Sequence, residues 1–89
     1  MENNQYYIIV LPSGSYRMIL YNLIKHVVNG IELIGTPARI SSGCSKSIKI
    51  EIEDIELIKK VIKENKIIIK GIYHVTVNNG KKDYVKLKS

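Results

Sequence analysis

Six consecutive apolar residues, Tyr6-Tyr7-Ile8-Ile9-Val10-Leu11, run up to the breaker Pro12-Ser13-Gly14. A stretch with no polar position cannot keep one face in water, so it reads as a central strand buried on both sides. Such a strand needs cover on two faces, which a chain of 89 residues can supply in few ways. Beyond the breaker, Ser13 or Ser15 can cap a helix in which Tyr16, Ile19, Leu20, Leu23, Ile24 and Val27 recur at helical spacing. Asn29-Gly30 stops it.

Ile31–Ile34 predicts a short strand, and Gly35–Lys46, rich in Gly, Ser and Pro and without periodicity, predicts a loop. Ser47-Ile48-Lys49-Ile50-Glu51-Ile52-Glu53 alternates, which gives a strand with one buried and one wet face. Asp54 is placed to cap a second helix that buries Ile55, Ile58, Val61 and Ile62 and ends near Asn65. Ile67–Val77 predicts a long strand, Asn78-Asn79-Gly80 a turn, and Tyr84–Lys88 a last short strand, so that residues 77–88 close a terminal hairpin. Residues 1–4 are expected to be disordered and residues 5–89 to form a single domain. The expected fold is α+β, a ferredoxin-like βαββαβ two-layer sandwich with a C-terminal β-hairpin extension. Helices cover only one face of such a sheet. The other side of the first strand, with Ile68 and Ile72 of the last long one, then asks for a homodimer through the open sheet face or for cover from the hairpin.

The net charge of +6 invites a nucleic-acid reading, but the basic residues are nearly all Lys, often beside Glu or Asp. Tyr is the only aromatic type, and Tyr6, Tyr7 and Tyr16 are mostly committed to core positions, so nucleic-acid binding is a third and weaker option. No apolar stretch is long enough for a membrane span, and Met1-Glu2-Asn3-Asn4 lacks the basic start of a signal peptide. One cysteine cannot form an internal disulfide, which points to the cytoplasm.

That cysteine lies in the one unusual stretch, Thr36-Pro37-Ala38-Arg39-Ile40-Ser41-Ser42-Gly43-Cys44-Ser45-Lys46-Ser47. A short turn would have joined the two strands, and loops longer than needed often carry function. Pro37 stiffens the start of the loop and Gly43 frees the backbone just before the thiol. Ser41, Ser42 and Ser45 offer hydroxyls, exposed N–H groups can form an anion nest, and Arg39 and Lys46 bracket Cys44 with positive charge. Each effect favours the thiolate, which is the nucleophile. The competing reading is a cysteine that simply fills space at a strand start. Sharper motifs fail. There is no second cysteine for a dithiol cycle, and position 50, where a phosphatase loop needs Arg, is Ile50. Gly43 is not followed by Lys, and Ile40 stands where a P-loop starting at Gly35 needs Gly. Cys44, His26 and His74 lie on three elements without ligand spacing, so no metal site and no cofactor are expected. His26 near a helix end and His74 in a strand read as structural, and Glu51, Glu53 and Asp54 as a wet strand face and a cap.

At this loop the chain resembles the selenium/sulfur carrier-like family, short bacterial proteins with a Thr-Pro-Arg-x-Ile/Leu-Ser-Ser-Gly/Ser-Cys-Gly pattern between the second and third strands. Thr36, Pro37, Ile40, Ser41, Ser42, Gly43 and Cys44 match; Ala38, with Arg39 one place later, and Ser45 depart from it. The opening is similar too, with Tyr6–Leu11 followed by Pro12-Ser13 and a helix, and the resemblance spans roughly residues 5–75, leaving the hairpin as an addition. It implies a thiol carrier in which Cys44 accepts sulfur or selenium from a donor protein, as a persulfide or selenosulfide, and passes it to an acceptor protein. Arg39 and Lys46 would steady the anion while Ser41, Ser42, Gly43 and Ser45 shape the loop. No general base is visibly paired with the thiol, so a carrier fits better than a self-sufficient enzyme. The alternative from the residues alone is a non-catalytic binding module whose basic loop recognises an anionic ligand or a protein partner, with Cys44 merely packed.

Overall fold

The computed structural model describes residues 5–40 and 46–87. Residues 1–4, the loop residues Ser41, Ser42, Gly43, Cys44 and Ser45, and Lys88 of the expected last strand lie outside them. Among the described residues the chain forms β1 (Gln5–Val10), α1 (Gly14–Ile24), β2 (Glu32–Gly35), β3 (Lys46–Glu51), a 3₁₀ turn (Ile52–Asp54), α2 (Ile55–Glu64), β4 (Gly71–Asn78) and β5 (Lys81–Lys86). The strands make one open sheet in the order β2-β3-β1-β4-β5, with every pairing antiparallel. It is a small α+β structure, and β5 carries the sheet one strand past the βαββαβ run of elements.

Strand β1 sits in the middle, as its unbroken apolar character requires. Ile9 lies between Ile48 and Ile72 on one face, and these pack with Leu20 and Ile24 of α1 and Ile55 and Ile58 of α2. Both helices therefore cover the same side of the sheet. On the other side Ile8, Val10 and Val75 form a second buried cluster, with Tyr6, Ile34, Ile40, Tyr73 and Tyr84 packed against it. Its cover comes from this chain, partly from β5 through Tyr84 and partly from Ile40 of the β2–β3 connection. Ile72 belongs to the helix-covered face and Ile68 stays exposed in the connection before β4, so neither adds to the open face as the sequence suggested.

Further boundaries differ from the expectation, those of β2 and β3 by one or two residues and four others by more than that or in their capping. Ser13 caps α1 by accepting the Tyr16 N–H at 3.3 Å, but the helix ends at Ile24, and Val28 rather than Val27 turns into the core. Asp54 makes no capping bond, because the chain enters α2 through the 3₁₀ turn with Asp54 already in the helical region. Strand β4 begins at Gly71 and not at Ile67, since α2 ends in a chain reversal. There the Ile67 N–H donates to the Ile62 carbonyl at 3.0 Å and the Lys66 N–H to Lys63 at 3.2 Å, a Schellman pattern that tucks Ile67 under the helix. Strand β5 begins at Lys81, immediately after a two-residue turn in which Asn79 (φ 50°) and Gly80 (φ 79°) both adopt positive φ.

The Schellman reversal places Lys66 at φ 54°, where glycine is the usual residue. A side chain there costs roughly 1–2 kcal/mol, partly offset by the greater unfolded-state freedom of glycine. Lys66→Gly is therefore expected to stabilise the protein by about 0.5–1 kcal/mol, read as a higher urea midpoint at unchanged slope. A lower midpoint would show that the reversal is not strained.

Candidate functional site

The base of the loop is held twice. Gly35 of β2 faces Lys46 of β3 at the last step of their ladder, and the hydroxyl of Thr36, just past β2, lies 2.6 Å from that of Ser47, which sits within the ladder opposite Ile34. Ser47 is fully buried although it shares a face with Lys49 and Glu51, read from the alternation as wet. A buried hydroxyl needs a partner, and Thr36 is the one it has. The sequence reading missed this pair; its only signal was two hydroxyl residues flanking a loop.

From Thr36 the chain turns, with the Ile40 N–H donating to the Pro37 carbonyl at 2.9 Å, and Ile40 drops onto the Ile8–Val10–Val75 cluster. Next to it Arg39 reaches β5, where its Nη1 donates to the Lys82 carbonyl at 3.4 Å and its guanidinium lies 5.8 Å from the centre of the Tyr84 ring, within cation–π range. Strands β2 and β5 are the opposite edges of the sheet, about 19 Å apart if it were flat. Thr36–Ile40 is thus a strap that leaves one edge and is moored to the other. Of the cations expected around the thiol, Arg39 has its described partners on β5, whereas Lys46 is exposed at the start of β3, two positions after Cys44 in sequence. Cys44 itself, with Ser41, Ser42, Gly43 and Ser45, falls in the stretch between Ile40 and Lys46 that lies outside the described residues.

The other candidates are placed elsewhere. His26 is exposed in the turn after α1. His74 stacks on Tyr7 with ring centres 5.0 Å apart and lies 2.8 Å from the Gln5 side-chain oxygen. Glu51 and Glu53 lie towards the far end of β3 from the strap, where Lys49 pairs with Glu32 at 3.3 Å and stands over the Tyr6 ring at 4.5 Å. Among the described residues no three His, Cys, Asp or Glu side chains converge as a metal would require.

Removing the Ser47 hydroxyl leaves Thr36 without its partner at the foot of the strap. Ser47→Ala is expected to cost about 1–2 kcal/mol in denaturant titrations. Combined with Thr36→Val, it should cost less than the sum of the two single changes, by about 0.5–1.5 kcal/mol. Strict additivity would mean the two hydroxyls do not interact.

Among the described residues no helix is long and apolar enough to cross a membrane. Neither a search of curated proteins nor one of solved structures returns a significant match. The sequence profile of the family described as "Putative Se/S carrier protein-like" matches residues 6–74, from β1 into β4, and so takes in the strap, the cysteine and Lys46 while leaving out β5. With most of its length matched, the chain belongs to that Se/S carrier protein-like family.

Proposed function

We propose that the protein carries sulfur or selenium on Cys44. The observation that carries this reading is the family match over residues 6–74, within which Cys44 is the only thiol. In the transfer the Cys44 thiolate attacks the outer sulfur of a donor persulfide. The donor S–S bond breaks, the donor leaves as thiolate, and a new S–S bond makes the persulfide on Cys44. No oxidant is consumed, and repeating the step with an acceptor thiolate returns Cys44 to its starting state. A selenium cargo follows the same displacement. The reaction asks for one ionised thiol and no resolving cysteine, and a second thiol nearby would divert the cargo into a disulfide.

Two features support this role. The double hold at Gly35–Lys46 and Thr36–Ser47 gives the loop a rigid base, and Lys46 supplies a cation close by in the chain. Two peptide units keep the Cα atoms of residues 44 and 46 within about 7.6 Å. A positive charge this near in the chain favours the thiolate over the thiol. Arg39, moored on Tyr84 and Lys82, serves here to hold the strap. Donor and acceptor proteins are the partners this chemistry requires.

Iodoacetamide alkylation followed across pH is expected to give Cys44 an apparent pKa below the free-cysteine value of about 8.5, and Lys46→Gln is expected to raise it. Protein purified without reductant should contain a fraction one sulfur or selenium atom heavier, lost on reduction and absent from Cys44→Ser. A pKa at or above 8.5 together with a single, unmodified mass would sink the carrier reading and leave a binding module.

A further inference from the structure

Charge is sorted along the strands. Their register puts Val10, Gly35, Lys46 and Gly71 at one end of the sheet, where α1 begins and α2 finishes. This end gathers Arg17, Lys46, Lys63, Lys66 and Lys86, and among the described residues Glu64 is its one acid. The Arg17 guanidinium folds back on the first residue of α1, its Nη2 3.3 Å from where a Cβ on Gly14 would stand. Lys86 reaches the same end on the face away from the helices, its Nζ 3.6 Å from the corresponding point on Gly71. At the opposite end Glu51, Glu53, Asp54 and Glu56 offset Lys25, Lys81 and Lys82.

Two of the gathered cations stand where local energetics oppose them. The first turn of a helix favours anions, yet α1 has no acid there and holds Arg17 instead. Lys66 adopts positive φ, where glycine is the usual residue. Lys63, in the last turn of α2, suits the helix dipole and needs no other cause. Charge kept against local cost at two points of one end marks a surface shaped by what it meets. Ile68, two residues beyond Lys66, is 57% exposed amid these cations. The rings nearest this end, Tyr16 and Tyr73, are packed on the two core clusters, which leaves base stacking little to use. An acidic protein patch with an apolar centre matches both the charge and Ile68. We propose that the basic end of the sheet is the docking surface for an acidic protein, which it draws in by charge and seats against Ile68. That this protein is the donor or acceptor of the cargo rests on the carrier reading: Gly35 and Lys46 bound the stretch that contains Cys44.

The test follows the reaction of Cys44 in the whole protein with three disulfides of similar size: anionic dithiodipropionate, neutral hydroxyethyl disulfide and cationic cystamine. In each, the Cys44 thiolate forms a mixed disulfide and one reagent thiolate leaves. Normalised to the free thiol N-acetylcysteinamide, the anion is expected to react about tenfold faster than the cation in ~10 mM salt, with the preference fading at ~0.5 M. Lys63→Gln combined with Lys66→Gln should cut the preference about two- to threefold, while Lys25→Gln combined with Lys81→Gln leaves it unchanged. A preference that ignores Lys63 and Lys66 overturns the proposal, as does a Cys44 that reacts with none of the three. A Cys44 of lowered pKa with no charge preference removes the acidic partner and leaves the carrier reading standing. Poly-glutamate with interspersed leucines should slow the neutral reagent and shift the Ile68 methyl signal, and a peptide that does neither counts against the docking surface. If oligouridylate does both at lower concentration, the surface belongs to RNA and the proposal falls.

Discussion

The structure depends on a middle strand that is apolar on both faces. Ile9 is satisfied by two helices, but Ile8 and Val10 point to the side that the helices cannot reach. Burying a side chain of this size contributes about 1.5–3 kcal/mol, a large share of the stability of a domain this small. The far side therefore has to be covered. The chain does it with pieces that look peripheral in sequence: Ile34 at one sheet edge, Tyr84 at the other, and Ile40 from the connection between β2 and β3.

This gives the length of that connection a packing cause. A two-residue hairpin would join β2 to β3 with no material to spare for the open face. The longer loop lowers Ile40 onto the cluster and sets Arg39 against Tyr84. The segment leading to Cys44 is thus part of the core's cover, and the carrier proposal and the stability of the sheet meet in the same residues. Tyr84 lies beyond the part of the chain that the family profile matches, so this mooring is made by the chain's own extension.

Much of this was legible in the sequence. An unbroken apolar run placed β1, the period-two and period-3.6 patterns placed β3 and both helices, and Asn79-Gly80 announced its turn through the positive φ such a pair accepts. What escaped were features decided by contacts distant in the chain. Ile67-Ile68-Ile69 reads equally as strand or as helix exit, and the choice was made by the Schellman bonds from residues 66 and 67 back to 63 and 62. Ser47 looked wet because its strand alternates, yet it is buried and paired with the hydroxyl of Thr36, eleven positions away. The described partners of Arg39 were equally out of reach of a sequence pattern, since they lie more than forty positions away on β5. The identity of the loop as the candidate site came from its residue types, which no folding pattern explains.

The mooring of Arg39 and Ile40 also bears on how cargo could change hands. Lifting Thr36–Ile40 would bring water to Ile8 and Val10, at a cost of a few kcal/mol against a total stability on the order of 5–15 kcal/mol. A tethered arm that swings between two stations needs a nearly flat energy surface, and this segment does not have one. Under the carrier proposal, a visiting protein would meet Thr36–Ile40 as a fixed feature of the surface.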